Sequence, residues 1–265
     1  MRGSQRDAGA SDQTQRALTP EAKAEQVVGG RTSQERAAVE VAQPSVGDAQ
    51  RRGKLLAAAE QLQVPLSGVD ADRLMAFLSL LQRWNRVYNL TALRDPNEML
   101  SHHLVDCLAV LPALRRHAAT GSNLQVLDVG SGGGLPGVVL AILQPDWQIS
   151  CVDTVSKKTS FIRQAGAELG LPSLMALHSR VEDLPAGRGF DLITSRAFAS
   201  LADFTALTAH LLSPGGTWVA MKAKLTPEEL AAVPPSVDMF HVEQLDVPGL
   251  DAQRCLVRMR PRGGG

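Results

Sequence analysis

The segment that most constrains this chain reads Val126-Leu-Asp-Val-Gly-Ser-Gly-Gly-Gly-Leu-Pro-Gly137. Val126, Leu127 and Val129 have the apolar character of a buried parallel strand, and the glycines that follow allow positive φ and close backbone approach. Pro136 suits the first turn of a helix that Val138 to Leu143 continue. A strand, a glycine-dense turn and a helix start, in that order, are the signature of a cofactor loop in an α/β sheet.

The literal pattern and the charge pattern point to different cofactors. Gly132, Gly134 and Gly137 spell G-x-G-x-x-G, and Asp153 lies about 20 residues on from the first of them, as a dinucleotide site requires. Asp128, however, stands where the strand ends and the loop opens, so its carboxylate is expected to face the ligand. There it would repel a pyrophosphate and complement the sulfonium and ammonium groups of S-adenosylmethionine. The plainer alternative is that Asp128 only caps the turn.

Composition narrows the class. The chain has 265 residues, 44% of them hydrophobic, and no run of 18 or more apolar residues that would span a membrane. One core with a small appended element is expected, in a soluble protein. Cys107, Cys151 and Cys255 are far apart and make no C-x-x-C spacing. Neither a disulfide framework nor a metal site is expected, and a reducing cytoplasm fits. With 27 basic and 27 acidic side chains, any surface for nucleic acid must be local.

Residues 1 to 50 contain almost no large apolar side chain and read as a disordered extension, dispensable for folding. Its acids, from Asp7 and Asp12 to Glu40 and Asp48, are too many for a transit peptide, and it has no apolar region of a secretory signal. Residues 51 to 120 read as a helical cap. Helical periodicity starts at Lys54, resumes near Asp70 through Leu74, Phe77, Leu78, Leu81 and Trp84, and returns in a third helix opened by Pro96 and ended near Pro112.

Residues 121 to 265 alternate strand and helix: strands 124–129, 148–152, 174–178, 190–194 and 216–221, with helices 136–143, 156–169 and 200–212 between them. Two closing runs, 238–245 and 254–260, have no helix between them and predict a terminal antiparallel pair. The whole is a Rossmann-like α/β sheet of seven strands, the class I methyltransferase variant of the doubly wound fold.

Ligands of such sheets lie across the carboxyl ends of the strands, which makes the residues just past each strand candidate contacts. Asp153 is placed to accept both hydroxyls of an adenosine ribose, or else caps the next helix. Val181-Glu-Asp183 is placed to flank an adenine, or is an ordinary solvated turn. Past the fourth strand, Thr194-Ser-Arg-Ala-Phe198 has neither the Asp/Asn-Pro-Pro-aromatic run suited to an exocyclic amine nor a cysteine nucleophile. A purine N7 needs neither device, because its lone pair is free and no proton has to leave.

No catalytic acid or base is therefore expected, and Arg196 has three candidate roles: contact with the methionine carboxylate of the cofactor, contact with RNA, or a structural ion pair. Cations gather on the same edge, namely Lys157, Lys158, Arg180, Arg196, Lys222 and Lys224, in the way of a protein that grips a phosphate backbone. His102 and His103 point about 100° apart on a helix and are not expected to share a metal, with His103 turned inward.

The segments Arg83-Trp-Asn-Arg-Val-Tyr-Asn-Leu-Thr91, Arg94-Asp-Pro-Asn-Glu-Met-Leu100, Asp128 to Gly137, Ser179-Arg-Val-Glu182 and Ser195-Arg-Ala-Phe-Ala-Ser200 closely resemble the ribosomal RNA small subunit methyltransferase G family, also called glucose-inhibited division protein B. The resemblance spans roughly residues 54 to 260. It implies N7 methylation of one guanine in small-subunit (16S) ribosomal RNA, free or in a pre-ribosomal particle, with S-adenosylmethionine as cofactor. It further implies cofactor contacts at Gly130, Leu135, Asp153, Val181, Glu182 and Arg196, and RNA contacts by Lys157, Arg180 and Lys222. Two other classes stay open on the residues alone, an NAD-dependent oxidoreductase and a non-catalytic RNA-binding module; a monomer is expected.

Overall fold

The computed structural model describes residues 45–118, 123–187, 189–196, 198 and 200–263. The expectation for the N-terminal extension lies almost wholly outside these residues. Helix α1, Val46–Gln61, begins well before Lys54 because Ser45 caps it, its hydroxyl accepting from Asp48 N, and because Asp48 pairs with Arg51. Its first two turns are polar, so apolar periodicity does not reveal them.

Helix α2, Gly68–Tyr88, is capped by Ser67 and ends on Asn89 in the left-handed region. A short helix α3, Pro96–Met99, starts with its amides on the Asp95 carboxylate and passes into a π-helical stretch, Leu100–Val105. Helix α4, Asp106–Ala118, then runs straight through Pro112 instead of ending there. The missing N–H costs a hydrogen bond, yet Leu111, Ala113 and Leu114 continue the buried face, and tertiary packing outweighs the local propensity.

The sheet is built from β1 (Gln125–Val129), β2 (Gln148–Asp153), β3 (Leu174–His178), β4 (Phe190–Ser195), β5 (Leu212–Lys222), β6 (Val237–Leu245) and β7 (Arg254–Pro261). Its order is β3-β2-β1-β4-β5-β7-β6, with β7 antiparallel to both neighbours and the first five strands parallel. An all-parallel dinucleotide fold lacks this inserted reversed strand, so the sheet is the seven-stranded methyltransferase type. The order reverses between β1 and β4, which places the ligand crevice at their carboxyl ends.

Helices α5 (Gly137–Leu143), α6 (Ser156–Leu169), α7 (Leu201–Thr208) and α8 (Pro227–Ala231) complete the described elements. Helix α7 ends earlier than the expected 212, in a 3-10 turn at Ala209–Leu211, and β5 starts at Leu212. Ser213 precedes Pro214 and is steered to extended backbone; Leu212 pairs with Phe190 before the register shifts.

Alternation along the strands feeds two cores. Val126, Leu192, Val219 and Leu256 face one; Leu127, Ile193, Trp218 and Val257 face the other. The cap helices share the first core with α5 and α6: Phe77 and Trp84 of α2 meet Phe161 of α6 at ring centroid distances of 6.1 and 5.6 Å. Phe77 and Phe161 are fully buried and Trp84 partly so; a fully buried side chain of this kind is worth about 1.5–3 kcal/mol, so the cap is bound into the sheet's own core. Among the described residues no helix is long and apolar enough to cross a membrane.

Candidate active site

The glycine loop is held closed by the strand ends around it. Gly130 N and Ser131 N both donate to Val152 O, at 2.9 and 3.2 Å, and Ser195 Oγ donates to Val129 O at 2.8 Å. Three adjacent strands, β2, β1 and β4, are thereby locked at their carboxyl ends. Gly134 has φ 77°, and a Cβ there would lie 2.5 Å from Val138 Cγ2. Gly137, the first residue of α5, has no room for a Cβ, which would overlap Cys151 Sγ and come within 2.9 Å of Asp128 Oδ2. The third glycine of the pattern thus serves close helix-to-strand packing.

Asp128 does not face the ligand. Its carboxylate is fully buried beneath α5, where Oδ2 accepts from Gly137 N at 2.9 Å with Cys151 beside it. Burial pushes its pKa up to about 6, against the pull of the Gly137 amide and the Arg196 charge. The expectation that this acid complements a sulfonium is corrected: β1 presents residue 128 to the helix side, and the capping alternative describes it.

The acids on the crevice are Asp153 and Glu182. A cavity of about 390 Å³ opens there, lined among others by Gly130, Asp153, Val181, Glu182, Phe198 and Leu207. Asp153 accepts from Gly132 N at 3.0 Å and from Val155 N at 2.9 Å, with Lys158 Nζ 3.6 Å away. It therefore ties the glycine loop to the start of α6 as well as lining the cavity. Val181 opens a 3-10 turn, Val181–Asp183, and is buried, while Glu182 is paired with the exposed Arg180. Leu135 is in the core with α5 and does not line this cavity.

A second cavity of about 290 Å³ lies against the helical cap, lined in part by His103, Asp106, Arg196, Lys222 and Arg254. Phe198 lines the first, and its carbonyl accepts at 3.0 Å from Nζ of Lys222, which lines the second. Arg196 Nη1 donates to His102 O at 2.9 Å and lies 3.4 Å from Asp106 Oδ2; Arg254 Nε donates to the other oxygen, Asp106 Oδ1, at 2.9 Å. Arg196 thus fills the ion-pair role in this geometry and lines the second cavity, not the first.

The basic edge is real in position but largely paired. Besides Arg180 and Arg196, Lys158 faces Asp153 and Lys222 Nζ sits 2.7 Å from Glu229 Oε1. Lys157 and Lys224 are exposed. His103 is buried, with Nε2 3.0 Å from Thr91 Oγ1, and its pKa is pushed down to about 4 by burial and by the Arg196 charge. His102 is half-buried with Nδ1 3.1 Å from Glu98 O.

Asp106 and Arg254 were not legible as site residues. Their signal is a lone charge in an apolar run: Asp106 within the buried stretch from His103 to Leu111, and Arg254 before Cys255-Leu-Val257. Among the described residues no cluster of three or more His, Cys, Asp or Glu is arranged to hold a metal ion.

Comparison with known proteins places the chain in a family. A family model described as rRNA small subunit methyltransferase G, GidB, matches residues 70–257. The ribosomal RNA small subunit methyltransferase G of Leptothrix cholodnii is 60% identical over 80% of this chain and 96% of its own length. That of Methylibium petroleiphilum is 56% identical over 77% and 92% respectively. With most of its length matched both to the family model and to these relatives, the chain belongs to the rRNA small subunit methyltransferase G family.

Proposed function

We propose that the chain transfers a methyl group from S-adenosylmethionine to the N7 of a guanine in small-subunit (16S) ribosomal RNA. The observation that carries this reading, beyond family membership, is the pair of cavities at the carboxyl edge of the sheet. One carries Asp153 and Glu182, each paired with a cation on the same wall, Lys158 and Arg180, beside apolar Val181, Phe198 and Leu207; the other is basic, with Arg196, Lys222 and Arg254 around Asp106. The first fits an adenosine: a carboxylate for the ribose hydroxyls, apolar and aromatic walls for the base, and a backbone at Gly130 that allows close approach.

When bound, S-adenosylmethionine supplies a methyl group made electrophilic by its sulfonium. The protein's part is positioning. Asp153, Val181, Glu182 and Gly130 hold the nucleoside end, Leu135 supports the loop from the core side, and Arg196 stands at the junction where cofactor and RNA meet. Lys157, Arg180 and Lys222 are the proposed RNA contacts, with Lys157 and Arg180 exposed. A purine N7 carries a free lone pair and no proton, so no side chain has to act as a base. His103, neutral and tied to Thr91, is consistent with that.

The test is direct: purified protein, labelled S-adenosylmethionine and either free 16S RNA or assembled small subunits, with the modified base identified by mass spectrometry. Methyl incorporation at a guanine N7 is the expected result. Thermal protection by S-adenosylhomocysteine but not by NAD should accompany it; protection by NAD alone would overturn the reading.

A further inference from the structure

Asp106 is the sole carboxylate among the described residues lining the basic cavity, and it is only 4% exposed. It comes from the cap, at the first residue of α4, directly after the π-helical stretch. The π turn puts both His102 O and the Asp106 carboxylate on the same arginine: Arg196 Nη1 reaches the one at 2.9 Å and the other at 3.4 Å. Arg254, from the start of β7, takes the remaining oxygen at 2.9 Å. One buried acid therefore fixes two guanidinium groups delivered by β4 and β7, and both line the cavity with it.

We propose that Asp106 is a positioning residue for methyl transfer, acting through Arg196 and Arg254, and that it keeps the acceptor side from becoming too positive as the reaction proceeds. This rests on the N7 reading above. As the new nitrogen–carbon bond forms, the carbon–sulfur bond breaks with its electron pair left on sulfur; no proton departs, and the purine gains one positive charge. That charge develops beside a cavity lined by three cations. Removing the single acid would raise the local potential and unfix two of the three, so the transition state suffers where ground-state RNA binding does not.

The two effects give an unusual kinetic signature. Asp106→Asn adds one net positive charge beside a polyanionic substrate, so KM for RNA should stay level or fall, while kcat drops roughly 10- to 100-fold. A purely structural role would lower the thermal midpoint and S-adenosylhomocysteine affinity together and show no such split. Asp106→Glu, which restores the charge one methylene away, should recover part of kcat.

Steady-state methylation of RNA by wild type, Asp106→Asn and Asp106→Glu, with thermal melts and S-adenosylhomocysteine binding on each, decides the matter. Unchanged kcat in Asp106→Asn, a rise in KM as large as the fall in kcat, or unfolding of both variants would overturn the proposal. A wild-type protein with no activity on any ribosomal RNA substrate would instead reject the reading beneath it.

Discussion

At the scale of single residues, the acids ending β1 and next ending β2 meet opposite demands. Asp128 has lost its water and gained little in exchange, so its carboxyl binds a proton more tightly when folded, with a pKa near 6. A raised carboxyl pKa contributes stability at pH values below the ordinary carboxylate range, and that contribution is lost as pH rises through about 6. The loss is on the order of 3 kcal/mol. Asp128→Asn keeps an acceptor for Gly137 N and removes the charge, so relative to wild type it should gain stability between pH 4 and 7. Urea denaturation of both proteins across that range checks this; parallel curves would mean that the carboxylate is compensated. Asp153 remains bonded to two backbone amides. Asp153→Ala should weaken S-adenosylhomocysteine binding by roughly 1–3 kcal/mol, and calorimetry on Asp153→Asn separates ribose contact from loop bracing. An affinity near wild type in both variants would leave Asp153 as a capping residue only.

At the scale of elements, the contact of α5 with β2 is the tightest constraint on the glycine loop. Gly137→Ala inserts a methyl group where Cys151 Sγ already stands, and α5 must move to admit it. Overpacking of this kind costs about 1–3 kcal/mol, and the moved helix should also disturb Asp128 and cofactor binding. Chemical denaturation and S-adenosylhomocysteine titration of Gly137→Ala would show both losses; neither loss would mean that α5 slides freely. The strand, the loop and the helix start were readable because they are contiguous in sequence, and so were the seven strands, whose apolar runs are short and bounded by turn residues. What escaped reading has physical causes. The start of α1 is polar, the passage of α4 through Pro112 depends on tertiary burial, and the π turn leaves no mark in periodicity. Asp128 was placed on the wrong side because strand position alone does not say which face an end residue presents. The Asp106 network pairs residues 90 and 148 positions apart, beyond the reach of any local pattern.

At the scale of the whole molecule, the cap and the sheet meet around the basic cavity, and of the proposed RNA contacts Lys157 is exposed whereas Lys222 is held by Glu229. Lys157→Gln should therefore weaken RNA binding and reduce the salt slope of log affinity by about 0.7 to 0.9, with S-adenosylhomocysteine affinity unchanged. An unaltered slope would remove Lys157 from the interface. Arg180 is a less clean probe, because it lines the cofactor cavity and pairs with Glu182. The chemical step makes the sharper demand. His103 is the buried histidine of the acceptor cavity, and with its pKa near 4 it stays neutral throughout the physiological range. Its raised counterpart, Asp128, titrates near 6 but is sealed beneath α5, where it cannot take a proton from a bound purine. The single-turnover rate, with RNA and cofactor saturating, should then be flat from roughly pH 6.5 to 8.5, where a histidine base would leave a slope. His103→Gln, which retains a hydrogen-bonding group for Thr91, should lower the rate only to the extent that it disturbs packing, and should leave the profile flat. A loss of rate below pH 7 in wild type that vanishes in His103→Gln would make that histidine the base and exclude a proton-free transfer to N7.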